Sequence, residues 1–176
     1  MSVFNWIKSL WPHPGQPIEV PAPEPAPDPS VRIHKAAHDP HFPEKREKAI
    51  VAINDALTAV AAKHGFTAKP QSWIKAGPLG QVSFYLQRSR FGFDTGIHLV
   101  FHPTDLPSKG VWAEEEDIPL AWFYPEAEAE AAQALIYLDV LEQPEKLRRA
   151  MVVLSETALP WLVRHLDEGQ VAEPEV

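Results

Sequence analysis

From Pro43 to Gly65 the apolar residues Ile50, Ile53, Leu57, Val60 and Ala61 recur every three or four positions, the spacing of one face of an α-helix. Pro43 suits a first helical position, Glu44 and Glu47 put acids where the helix dipole favours them, and Gly65 is a stop signal. The stripe should pack on a sheet, with Phe66 folded back over the last turn. Beyond Gly65 the apolar period shortens to two. "QSWIKA", "GQVSFYLQRS", "TGIHLVFH" and "IPLAWFY" read as strands separated by turns rich in Gly and Pro. Alternation sets Val82, Phe84 and Leu86 opposite Ser83, Tyr85 and Gln87, and Ile97, Leu99 and Phe101 opposite His98, Val100 and His102. One sheet face is thus apolar and the other mixed and open. After the acidic turn "AEEEDIP", helical spacing returns in "PEAEAEAAQALIYLDVLEQ" and "PEKLRRAMVVLSETALPWLVRHLDEG", opened by Pro125 and Pro144. Leu147, Met151, Leu154, Ala158 and Leu162 form the stripe of the last segment, which Pro160 should kink or break. The predicted fold class is α+β: an antiparallel meander of three to four strands packed by an N-terminal helix and two C-terminal helices.

The first eleven residues carry a pattern of their own. Val3, Phe4, Ile7, Leu10 and Trp11 fall on one face if this stretch is helical, and Pro12 ends it. Eight of the eighteen residues from Pro12 to Pro29 are proline, which predicts a disordered, extended spacer with no core of its own. The chain therefore divides into a short amphipathic helix (1–11), a proline-rich linker (12–30) and one α+β domain (31–176). A helix shorter than about 12 residues is marginal in water and needs a surface to bind. That surface is its own domain, a groove on another protein, or a membrane. A membrane-surface helix usually carries several bases, and this one has only Lys8, so a protein partner bound through Phe4, Ile7, Leu10 and Trp11 is the favoured expectation.

Composition narrows the chemistry. The absence of cysteine removes disulfides, thiolate metal sites and thiol nucleophiles, in keeping with a cytoplasmic protein. No apolar run approaches the roughly 20 residues of a membrane span, and prolines stand where a signal-peptide cleavage site belongs. The net charge of −8 argues against general nucleic-acid binding. It is uneven, however: residues 31–113 carry eleven bases and six acids, and 114–176 four and fifteen. No phosphate-binding glycine loop, nucleophile elbow or zinc-protease helix is present in the sequence. His34, His38 and His41 cluster in "HKAAHDPHF", but Pro40 biases Asp39 away from helix and takes His41 off the face shared by the other two. His98 and His102, four residues apart in a strand, stand about 13 Å apart. Neither group predicts a metal site, and no cofactor is expected.

The polar cluster that remains is "QRSR". Arg88 and Arg90 at a strand end can grip a carboxylate or phosphate, or else pair with the acid-rich C-terminal part in "AEEEDIP". With Tyr85, Gln87 and His98 they make up the candidate ligand face. The stretch from "KHGF" to "GIHLVF", led by the amphipathic helix, resembles the bacterial family known as domain of unknown function 4304 over about residues 44–124. The resemblance is carried by Gly65, Phe66, Trp73, Gln87, Arg88, Ser89 and Ile97. It implies a compact α+β domain and weight on "QRSR"; the family brings no established activity or catalytic residues. The functional expectation is a non-enzymatic interaction module recruited by its N-terminal helix. The alternatives are an enzyme using the open sheet face and a toxin-neutralising binding protein.

Overall fold

The computed structural model describes residues 29–103 and 117–168. The expectations for the tail, including Phe4, Ile7, Leu10 and Trp11, and for residues 113–116 of the acidic turn lie outside them. Helix α1 (Pro29–Ala37) leads into α2 (Phe42–Lys63), followed by β1 (Thr67–Lys69), β2 (Ser72–Gly77), β3 (Gly80–Arg88), β4 (Asp94–Pro103) and β5 (Asp117–Pro119). A 3₁₀ turn (Leu120–Phe123), α3 (Glu126–Ala132), β6 (Leu135–Ile136), α4 (Tyr137–Glu142) and α5 (Pro144–Val153) come next. A π turn (Leu154–Ala158) then joins α5 to α6 (Leu159–Glu168). The fold is α+β, with one antiparallel sheet in the order β1-β2-β3-β4-β5 and β6 also on β4.

Helix α2 forms where its pattern placed it. Pro43 stands in its first turn, and its end closes as a Schellman motif: Phe66 N–H donates to Ala61 O and Gly65 N–H to Ala62 O, with Gly65 at φ 73°. Phe66 is buried as expected, edge-on to Phe84, which stacks on Trp73. Ala49, Ile53, Leu57, Val60 and Ala61 are buried and Ile50 half-buried. The closest backbone neighbour of α2 is α4, while its side chains share the core with the sheet and Thr58 accepts a bond from the Trp73 indole on β2. Val82, Phe84, Ile97 and Leu99 line the buried sheet face, each burial worth about 1.5–3 kcal/mol. Leu86 and Phe101 finish that face half-buried.

Five expectations are corrected. The sheet has six strands because Thr67–Lys69 and Leu135–Ile136, too short to show a period, add to its edges. "IPLAWFY" extends only to Pro119, which has no N–H for the ladder, and then coils into the 3₁₀ turn. "PEAEAEAAQALIYLDVLEQ" is two short helices with β6 between them, because Leu135 and Ile136 pair with Thr95 and Asp94. Pro29 and Ser30, the last two residues of the expected linker, belong to α1, since "PSVRIHKAA" is helical. The outer sheet face is closed at Ser83 and Val100 and at least partly open on either side, at Ala76, Gln81 and His102 and at Tyr85, Gln87 and His98. At Pro160 the last helix passes through a π turn: Leu159 N–H reaches back five residues to Leu154 O, and the turn accommodates the hydrogen bond that proline cannot make.

Charge ties α1 down. Arg32, buried, donates to Asp139 Oδ1 at 2.5 Å and Glu142 Oε2 at 2.9 Å; Lys35 adds a bond to Glu142 at 3.0 Å and Lys146 one to Asp139 at 2.5 Å. Arg32 and Lys35 thus pair the basic middle with the acidic C-terminal part; Glu114–Glu116 of "AEEEDIP", the expected partners of Arg88 and Arg90, lie outside the described residues. Arg88 and Arg90 have no ion pair among the described residues.

Candidate functional site

Strand β4 carries two partners on one edge. β5 pairs with His98–Val100 and β6 with Asp94–Thr95, and the chain between them runs from Pro119 through the 3₁₀ turn and α3 to Leu135. This arch spans the stretch of β4 at Gly96 and Ile97 that neither strand pairs. The site sits there.

His98 is its centre. Register puts His98 beside Pro119 of β5 and opposite Tyr85 of β3, so Asp117, two residues before Pro119, comes within reach. Nδ1–H of His98 donates to Asp117 Oδ1 at 2.8 Å, and Tyr85 OH donates to Asp117 Oδ2 at 2.6 Å. The carboxylate fixes the ring and its tautomer, leaving Nε2 as the free lone pair. Nε2 lies over Gly96: a Cβ there would stand 2.9 Å from it and 3.5 Å from the backbone oxygen of Gln133. Only glycine leaves room for the ring.

Two adjoining cavities open from this point, and His98 and Gln133 line both. One, about 330 Å³, is walled by Gln87, Arg88, Arg90, Asp94 and Gly96. The other, about 450 Å³, is apolar, with Ala121, Trp122, Tyr124 and Ala129. Burial pushes the Tyr124 phenol up to about 12, against the pull of Arg149, whose guanidinium lies 5.7 Å from its ring; Tyr124 is therefore neutral at ordinary pH. Asp94 Oδ1 is buried with no hydrogen-bond partner.

Of the candidate ligand face, Gln87, Arg88, Arg90 and His98 share the smaller cavity, and Tyr85 acts behind it through Asp117. Asp117, Gly96, Asp94, Gln133 and Trp122 were not singled out in the sequence. Register alone brings Asp117 to His98 across 19 positions. The rings of His34 and His38 lie 4.2 Å apart and tilted, His38 just beyond the end of α1, and His41 N–H donates to Asp39. Among the described residues no three His, Asp or Glu side chains gather as a metal site, and no helix is long and apolar enough to cross a membrane.

The fold defines the class: an α+β domain with an antiparallel sheet and a cleft at the edge of β4. No family model, curated protein or solved structure matches this chain, so the likeness to domain of unknown function 4304 stays a resemblance.

Proposed function

We propose that the domain binds a small anionic ligand, a phosphate or carboxylate, in the cleft between Arg88, Arg90 and His98. The observation that carries this is the imidazole of His98, held by Asp117 at the edge of a cavity that Asp94 and two arginines also line, the arginines having no ion pair among the described residues. An exposed guanidinium without an ion-pair partner keeps its fork of donors for a ligand, and charge-assisted bonds of this kind are worth about 1.5–3 kcal/mol each. His98 adds an acceptor for an acidic ligand proton, or a donor once protonated.

Calorimetric titration of the full chain with inorganic phosphate tests the proposal. Binding should weaken about tenfold or more in the Arg88→Gln/Arg90→Gln double variant, with the melting temperature unchanged. Phosphate affinity that is the same in both proteins would refute it. Capture of a protein partner through Phe4, Ile7, Leu10 and Trp11 is a separate proposal from the sequence; pull-downs with the Phe4, Ile7 and Trp11 triple alanine variant should lose that partner.

A further inference from the structure

We infer that the ligand of the whole cleft is a free nucleoside monophosphate, its phosphate at Arg88 and Arg90 and its base on Trp122. The inference rests on the anion-binding reading above and goes beyond it in naming the ligand class. A bare phosphate or carboxylate would fill only the basic cavity, yet that cavity runs on, past His98 and Gln133, into the apolar one. There Trp122 is 58% exposed beside Tyr124 and Ala129, an indole face left in water on an otherwise closed turn whose other residues, Leu120, Ala121 and Phe123, are buried. A flat aromatic group covers such a face, and stacking of a nucleobase on tryptophan is indifferent to which base it is.

A polar side chain between the two ends suits a sugar. The side chain of Gln133, exposed at the junction, offers both a donor and an acceptor to a base edge or a ribose. The scale also fits. Arg88 pairs across the sheet with Thr95, three residues from His98 and so about 10 Å along β4, and both cavities are open to solvent. The net charge of −8 opposes a long polyanion more than a single phosphate, which favours a free nucleotide over a nucleic-acid strand.

The test is calorimetry on the full chain with the four ribonucleoside 5′-monophosphates, ribose 5-phosphate, inorganic phosphate and a mixed-sequence decanucleotide. At least one nucleotide should bind about tenfold or more tighter than ribose 5-phosphate. Trp122→Ala should erase that gain and leave phosphate binding as it was, while Trp122→Phe should keep most of it. If all four nucleotides bind no tighter than ribose 5-phosphate, or Trp122→Ala leaves them unaffected, the nucleotide assignment falls. The anion cleft then stands as long as Arg88→Gln/Arg90→Gln still weakens phosphate. A decanucleotide that outcompetes every mononucleotide overturns the free-nucleotide assignment in favour of a strand, and no binding of any anion overturns both readings.

Discussion

Gly96 and Asp117 set where His98 points, and neither is visible as a functional residue in the sequence. Gly96 occupies an outward position opposite Gln87 with no positive φ, so it is not there for backbone freedom; it is there for the space that the imidazole fills. Gly96→Ala should fold, because the group it displaces is the end of a side chain that can swing. Phosphate affinity should nevertheless drop by about tenfold as His98 leaves Asp117, while the melting temperature moves by only a few degrees. Asp117→Asn separates positioning from packing: the pair is partly exposed, so stability should change by no more than about 1 kcal/mol, measured by urea unfolding. Phosphate affinity should fall in Asp117→Asn, since an amide holds the imidazole orientation and tautomer less firmly than a carboxylate does. Arg88, Arg90 and His98 could be read from sequence because two bases at a strand end and an outward histidine are local features. Asp117 could not, since its role exists only once β5 has paired with β4.

At the scale of elements, α1 is held by charge as much as by apolar contact. Its mean burial is small, with Ala36 as its fully buried apolar residue and Ile33 only packed at the margin, while Arg32 lies buried against Asp139. Arg32→Met should cost about 3–5 kcal/mol in chemical denaturation, because it strands the buried Asp139 carboxylate with Lys146 alone. Glu142 gives a pH signature. Burial works to raise its carboxyl, but the bonds from Lys35 and Arg32 outweigh this and hold it below the ordinary value of 4.5. A depressed carboxyl stabilises the fold above its unfolded value, and that contribution is lost as pH falls from about 4.5 through the folded value. Glu142→Gln should therefore be less stable than the native chain at pH 7, by about 1 kcal/mol, and the two should converge as thermal unfolding is followed down to pH 3. Long periodic elements were legible: α2, β2, β3 and β4 lie where the spacing of Ile53, Leu57, Phe84 and Leu99 puts them. The stretch from Leu120 to Gln143 was not, because two- to seven-residue elements have no period to detect and owe their form to partners such as Asp94 and Thr95 on β4. Helix α1 was hidden by its polar sequence, whose anchor is an arginine.

For the whole molecule, the uneven charge of the sequence resolves into two uses. The basic middle spends Arg32 and Lys35 on the acidic helix α4, and keeps Arg88 and Arg90 at the mouth of a cleft. The core cluster, from Ala36 to Leu166, closes among the described residues. A chain lacking residues 1–28 should therefore unfold cooperatively within a few degrees of the full chain, by thermal scanning, and bind phosphate with the same affinity. The anion cleft depends on His98, and nitrogen-15 correlation spectra of its ring, with and without inorganic phosphate, read it most directly. In the neutral ring Nδ1 should carry the proton and Nε2 should be the bare nitrogen, and saturating phosphate should shift Nε2 in the native chain but not in Arg88→Gln/Arg90→Gln. A proton on Nε2, or an Nε2 signal indifferent to phosphate, would contradict it.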